Sequence, residues 1–250
     1  MLNSSPDVRD QLTCLPGVVP TGTRHVPVAG IVLTDAELDH TLGMVLLREC
    51  RQLQLYATTA VQAILQDDSR LLPTTRAFAR VDTTDLPLDR PVPLRYQDGS
   101  SGEISVQAFP VPAGPPRFAQ KDVVGHTVGL LLRDANTGGT CAYVPGCGEL
   151  NPQLLGVLAE TDLVLFDGTF WSNDELISLG ISGRTAREMD HQPVSGEDGT
   201  LLRLASLGRP RTVYTHINNT NVMLLEDSPE REAVEQAGIE VGADGMSFFI

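Results

Sequence analysis

Short apolar runs separated by polar turns recur along the chain, and they predict buried β-strands. The clearest runs are VPVAGIVL at residues 26–33, DLVLFD at 162–167 and RTVYTH at 211–216. Apolar positions at helical spacing predict amphipathic helices at 150–159 and 229–237. Strands and helices alternate, with hairpins in the middle of the chain. This order predicts an α/β fold in which two sheets pack between flanking helices, an αββα sandwich.

Weaker patterns complete a single predicted domain over residues 1–250. Ser228, ahead of Pro229 and Glu230, predicts the N-cap of the last helix. Residues 66–102 are rich in Pro, Asp and Thr, so we interpret them as a long surface loop or insertion. Further elements are a helix that follows the TDAELDH segment, a strand and then a helix over 52–65, and strands at 104–111, 127–133, 139–144 and 245–250.

Charge and composition exclude several classes of function. The 250 residues carry a formal net charge of −14, and the pI is about 4.6. An acidic surface argues against nucleic-acid binding, which depends on clustered Lys and Arg. No secretory signal is recognisable, and no apolar run approaches the roughly 20 residues that span a bilayer. We therefore expect a soluble, cytoplasmic protein without membrane insertion.

Polar side chains with metal-binding chemistry follow three of the predicted strands. Asp39 and His40 come after the first strand, Asp167 ends another and His216 ends a third. The segment TDAELDH brings several carboxylates together, and a bound divalent cation relieves their repulsion. The combination predicts a metal site where strand ends face an open crevice. The same residues are also compatible with a turn cap at Asp167, a core histidine at His216 and a solvated acidic helix start.

The remaining histidines give weaker signals. His191 lies in the polar segment RTAREMDH, where it is either exposed or an acid/base group beside the site. His25 and His126 have no candidate ligand close to them in sequence, so we interpret both as structural or exposed.

Many segments resemble the PqqB family of pyrroloquinoline quinone (PQQ) biosynthesis proteins, within the metallo-β-lactamase superfamily. TDAELDH is similar to the first metal motif of that superfamily, Thr-His-x-His-x-Asp-His. HINNTN together with EDSPERE is the most specific match. Because members of the family usually begin earlier in the sequence, the resemblance implies an N-terminally shortened metallo-β-lactamase-like αββα sandwich. The other matching segments, in the family's order, include NSSPDVRDQL, IVLTDAELDHTLGMVLLRE, YVPGCG, DGTFW, GRTAREMDH and DGMSFFI.

The resemblance implies one metal ion instead of two. Asp35 and Glu37 stand where the superfamily has two histidines of its first site, and no histidine lies near YVPGCG to complete that site. The second site is retained in Asp39, His40 and His216. Two histidines and one carboxylate suit Fe(II), which we favour, and also Zn(II).

The family resemblance implies an iron-dependent hydroxylase that uses molecular oxygen. Its expected substrate is a crosslinked Glu–Tyr precursor of PQQ, a small dipeptide-like molecule. Two alternatives stay open: a carrier that transports PQQ or its precursor toward the periplasm, and a metal-dependent hydrolase of the phosphodiesterase type. An exposed sheet edge makes a homodimer a further expectation.

This reaction gives expected roles to the remaining residues. Asp167 is expected to ligate the metal or to orient a ligand. Asp35 and Glu37 are expected to bind substrate amino groups or accept protons, and His191 to shuttle protons. The side chains expected to meet substrate carboxylates are Asn218, Asn219, Asn221, Arg184 and Arg187.

Overall fold

The computed structural model describes residues 1–15 and 27–250. His25 and Val26, the first residue of the first predicted strand, lie outside the described residues. The chain divides into two compact units. Unit 1 comprises Met1–Pro110 and Pro115–Val128, and unit 2 comprises Val111–Gly114 and Gly129–Ile250. The prediction of one domain over the whole chain stays a prediction.

Unit 1 contains a parallel sheet with the strand order β1-β2-β3: Gly30–Val32, Gln52–Ala57 and Arg80–Asp85. Its middle strand is buried through Leu53 and Leu55, which belong to one apolar core cluster. A second, antiparallel pair is formed by β4 (Val92–Arg95) and β5 (Ser101–Pro110). The helices are α1 (Val8–Cys14), α2 (Leu38–Thr41), α3 (Gly43–Leu46), α4 (Thr59–Ala63) and α5 (Leu71–Arg76), and a π-helical turn covers Ile64–Asp68.

Unit 2 is built on strands in the order β10-β9-β8-β7-β6. The hairpin β6–β7 is antiparallel, and the later strands pair in parallel. The strands are β6 (Val128–Asp134), β7 (Thr140–Val144), β8 (Leu163–Asp167), β9 (Arg211–Thr215) and β10 (Glu240–Val241). The helices are α6 (Pro152–Ala159), α7 (Glu175–Ser178), α8 (Thr200–Ala205) and α9 (Pro229–Gln236), with 3₁₀ turns at Arg187–Met189 and Val222–Leu224.

The pairing of β8 with β9 positions the chemistry of unit 2. Asp167 is the register partner of Thr215, so the carboxyl ends of the two strands lie side by side. His216 follows immediately and therefore emerges beside Asp167. Both strands lie inside the sheet and are largely buried, which explains the nearly continuous apolar sequence of β8 and the β-branched and aromatic residues of β9. The predicted strands at 162–167 and 211–216 are confirmed, as is the helix N-cap at Ser228, whose hydroxyl accepts from the Arg231 N–H at 3.0 Å.

Two predictions of secondary structure are wrong. The predicted loop over 66–102 contains α5, β3 and β4. Its strands were hidden because β3, RVDTTD, joins the sheet through backbone bonds while carrying polar side chains. The predicted closing strand at 245–250 is absent from the described residues, because the chain turns at Gly245 with φ +82° and Phe249 is 98% exposed.

Candidate metal centre

In unit 1, the imidazole of His40 is held by a buried carboxylate. His40 lies on α2, and its Nδ1 is 2.9 and 2.8 Å from the two carboxylate oxygens of Asp35. Nδ1 bonded to a carboxylate carries the proton, so the lone pair of the neutral ring lies on Nε2, the atom through which such rings bind metals. The local sequence produces this contact because the chain turns from β1 into α2 within five residues, and Asp35 accepts from the Glu37 N–H at 2.9 Å.

Asp35 is supported in turn by the residues around β1. The hydroxyl of Thr34 donates to Asp35 Oδ2 at 2.8 Å. The side-chain amide of Asn3 donates to that hydroxyl through Nδ2 and accepts from the Thr34 N–H through Oδ1. Burial raises the pKa of Asp35, but the electrostatic attraction and hydrogen bond of His40, with the bonds from Glu37 and Thr34, outweigh it and leave the pKa below its ordinary value. A buried carboxylate with a lowered pKa is a weak base. In this geometry Asp35 orients the ring of His40, and its expected role as a proton acceptor or substrate contact stays a prediction.

Asp39 and Glu37 occupy more open positions on the same segment. The Asp39 side chain is 59% exposed, and its Oδ2 lies 4.0 Å from His40 Nε2. Ligand atoms of one tetrahedral ion with bonds of about 2.1 Å lie roughly 3.4 Å apart, so the exposed Asp39 side chain has to move closer to His40 for the two to share an ion. Glu37 is half-buried, and its carboxylate accepts from the Arg117 N–H at 2.5 Å.

In unit 2, Asp167 is the central polar group. It is 1% exposed at the end of β8. Its Oδ1 accepts from the backbone and hydroxyl of Thr169 at 3.0 and 2.6 Å, and its Oδ2 accepts from the Cys147 N–H at 3.0 Å and from His191 Nδ1 at 2.7 Å. Burial raises the pKa of Asp167, but the charge and hydrogen bond of His191 and the contacts of His216 hold it well below its ordinary value. These four bonds occupy the acceptor positions of a carboxylate, which favours orientation of ligands over direct ligation.

His191 and His216 form the imidazole pair of unit 2. Their rings stack at 5.5 Å with an interplanar angle of 22°, and Phe170 meets the His191 ring edge-on. The Thr169 hydroxyl lies 2.8 Å from His216 Nδ1. Its own hydrogen is donated to Asp167 or to the His216 carbonyl. It therefore accepts from Nδ1–H, which again leaves the lone pair of the neutral His216 ring on Nε2. Ligand atoms of Asp167, His191 and His216 all lie within 4.8 Å of one another.

The backbone of His216 is left-handed, with φ +54°. Such a conformation costs about 1–3 kcal/mol for a residue other than glycine and persists where the surroundings enforce it. The restraints begin at Thr169, whose hydroxyl also contacts the His216 carbonyl at 2.9 Å. This geometry suits a residue whose side chain has to point in one direction.

The residues predicted to contact substrate differ in their exposure to solvent. Asn221 is 2% exposed and its amide is used inside the protein, donating to the Gly168 carbonyl at 2.9 Å and accepting from the Met223 N–H at 3.0 Å. We therefore interpret Asn221 as part of the loop scaffold. Asn218 is half-buried, and the exposed residues of the set are Asn219, Arg184 and Arg187, with the Arg184 guanidinium donating to the Glu188 carbonyl.

Sequence patterns missed the residues that orient the histidines. Thr34 and Thr169 each sit within two positions of a predicted ligand or carboxylate, which was the available signal. Glu175, a buried carboxylate at the start of α7, was missed as well, because it lies in the acidic stretch SNDEL, typical of a solvated surface. His126, expected to be structural or exposed, is buried and contacts Asp122 at 2.9 Å.

Comparison with known proteins decides the family. Residues 1–217 match the model of the β-lactamase superfamily domain. Coenzyme PQQ synthesis protein B from Gluconacetobacter diazotrophicus is 38% identical over 98% of this chain and 81% of its own length. The homologue from Bradyrhizobium diazoefficiens is 37% identical over all of this chain and 83% of its own length. The chain belongs to the PqqB family. The resemblance seen in HINNTN and EDSPERE is thereby confirmed.

Solved structures place the PqqB family chain in the predicted fold class. Zn²⁺-bound PqqB from Methylobacterium extorquens matches with a TM-score of 0.86 and 33% identity, covering 100% of this chain and 82% of that one. A diphosphatase of the PhnP family matches at 0.64 with 18% identity, covering 100% and 79%, which shows the shared fold alone. The metallo-β-lactamase-like α/β class is confirmed. Among the residues that the structure describes, no helix is long and apolar enough to cross a bilayer.

Proposed function

We propose that this chain binds one divalent metal ion through Asp39, His40 and His216 and serves PQQ biosynthesis as an iron-dependent hydroxylase. The observation that carries the proposal is the shared orientation of the two histidines. Asp35 holds Nδ1 of His40 and Thr169 holds Nδ1 of His216, so each neutral ring offers Nε2. This arrangement, in which outer hydrogen bonds fix the tautomer of ligating histidines, is characteristic of metal sites.

Iron, when bound, supplies electron transfer with dioxygen, which two histidines and one carboxylate commonly support. The residues of the chain supply position and protons. Asp35 and Thr169 keep the ligating rings in place. His191, whose Nδ1 is held by Asp167, presents the lone pair of Nε2 to accept a substrate proton. The expected substrate is the crosslinked Glu–Tyr precursor of PQQ, with the exposed side chains of Asn219, Arg184 and Arg187 as contacts for its carboxylates.

The test is oxygen consumption by the full chain after anaerobic loading with Fe(II). The precursor peptide should raise the rate, and His40→Ala and His216→Ala should abolish the increase. His126→Ala is the matched control, because His126 and His40 are equally buried at 6% exposed. Oxygen consumption that does not increase with the precursor, or an increase that remains in both ligand variants, contradicts the hydroxylase.

A zinc hydrolase is the second candidate, favoured by the zinc found in the Methylobacterium extorquens relative. Two histidines and a carboxylate also suit a hydrolytic zinc ion. Turnover of a phosphodiester by the Zn²⁺-loaded chain, without any precursor-dependent oxygen uptake, would establish it. Binding of PQQ or its precursor with neither activity, unchanged in His216→Ala, would favour the carrier instead.

A further inference from the structure

Glu175 is a buried carboxylate outside the residues that sequence or resemblance assigned to the site. It begins α7 and is 8% exposed. Its Oε2 accepts from the Trp171 N–H at 2.7 Å, and its Oε1 accepts from the Thr220 hydroxyl at 2.5 Å. A buried charge is costly unless its oxygens are hydrogen-bonded. Glu175 therefore joins the segment after β8 to the segment after β9. A neutral residue would form weaker hydrogen bonds to both.

Several hydrogen bonds hold the loop from His216 to Asn221, and Glu175 takes part in one of them. Its backbone and amide groups bond to the end of β8, through Asn218 N–H to the Thr169 carbonyl at 3.1 Å and Asn221 Nδ2 to the Gly168 carbonyl at 2.9 Å. The middle of the loop is held through side chains. Asn218 Nδ2 donates a hydrogen bond to the Thr220 hydroxyl at 2.7 Å, and that hydroxyl donates a hydrogen bond to Glu175.

We propose that Glu175 is a positioning residue that fixes the direction of His216 through Thr220 and Asn218. The inference rests on the proposed function, in which His216 binds the metal. His216 has a left-handed backbone, which needs restraint from outside the residue. Thr169 restrains it from the side of β8, and Glu175 restrains the loop that follows it. Both restraints act from the segment that follows β8, because Glu175 accepts a hydrogen bond from the Trp171 N–H and Trp171 lies two residues after Thr169.

The experiment measures Zn²⁺ affinity of the full chain by competition with a chromophoric chelator, and the visible spectrum of the Co²⁺-loaded chain. Thr220→Val removes the hydroxyl at nearly constant volume, and Glu175→Gln removes the charge and sets an N–H₂ group against a donor. Both should weaken Zn²⁺ binding, by less than the roughly 10-fold loss expected when a direct hydrogen-bond partner of a ligating histidine is removed. Both should also shift the Co²⁺ spectrum, which a merely structural loss would not do.

Two controls separate the possible outcomes. Thr220→Ser keeps the hydroxyl and should keep the affinity, as should Asp174→Asn, which alters the neighbouring exposed carboxylate. If Thr220→Val and Glu175→Gln bind Zn²⁺ like wild type while His216→Ala does not, the role of Glu175 is refuted. Weakening by Thr220→Ser equal to that by Thr220→Val also refutes it. If His216→Ala itself binds Zn²⁺ like wild type, the proposed metal site is wrong instead.

Discussion

Replacing Asp35 by Asn tests the orientation of His40 without emptying the site. The carboxylate accepts from His40 Nδ1, Glu37 N–H and the Thr34 hydroxyl, all at 2.8–2.9 Å. An Asn oxygen still serves His40 and Glu37, and its amide can donate to the Thr34 hydroxyl, which then turns toward Asn3 Oδ1 at 3.2 Å. The variant should therefore fold. Asp35→Ala leaves three donors without an acceptor, each of which costs about 1–3 kcal/mol of folding stability. This variant should therefore be much less stable.

The expected loss comes from the charge on the bond to His40. Hydrogen bonds to charged groups contribute about 1.5–3 kcal/mol and neutral ones about 0.5–1.5 kcal/mol, so Asp35→Asn should lose about 1–1.5 kcal/mol. That difference corresponds to about a 10-fold weaker metal affinity. The assay is Zn²⁺ competition at neutral pH, with Asp98→Asn as control, because Asp98 also accepts two short bonds but lies in an exposed turn. Wild-type Zn²⁺ affinity in Asp35→Asn would refute the reasoning.

Three further predictions concern other contacts of the two units. Thr169→Val should weaken Zn²⁺ binding roughly 10-fold because it removes the acceptor of His216 Nδ1, and Thr169→Ser should restore it; equal affinities in Val and Ser variants would contradict this. The lowered pKa of Asp35 stabilises the fold above the unfolded-state pKa of about 3.9, and this contribution is lost as the pH falls through the folded-state pKa. In urea unfolding, the stability gap between wild type and Asp35→Asn should shrink below about pH 4, and a gap that widens there opposes the assignment. Ser228→Ala should cost about 1 kcal/mol by removing the cap of α9, whereas Ser206→Ala, at an exposed helix end, should change the melting temperature little; equal effects would argue against the cap.

The strands that carry the site were predictable from sequence because burial leaves a local record. β8 is apolar up to Asp167, and β9 buries Thr212, Val213 and Tyr214 before His216, since each strand is enclosed by neighbours in the sheet. The polar residue at the end of each run therefore marks where the buried strand meets solvent. Family resemblance added the choice of ligands, which periodicity alone left open against a turn cap or a core histidine.

Other features leave no such record. β3 is a strand because its backbone pairs with β2, and its Thr and Asp side chains give no alternation that a sequence pattern would detect. The apolar end of the chain reads as a strand but leaves Phe249 exposed. The hydrogen bond from Thr220 to Glu175 joins residues 45 positions apart, and pairings at that separation depend on the fold. The support of Asp35 was hidden for the same reason, since Asn3 reaches Thr34, the hydrogen-bond donor to Asp35, only when the N-terminal segment pairs beside β1.

The most direct test of the metal site is a crystal structure of the full chain loaded anaerobically with Fe(II), with anomalous diffraction recorded at the iron edge. One anomalous peak per chain, about 2.0–2.3 Å from Asp39, His40 Nε2 and His216 Nε2, is the predicted result. Asp35 and Thr169 should stay on the Nδ1 atoms of the two rings. Two peaks per chain, or one peak that lacks His40 or His216 among its ligands, would contradict the account.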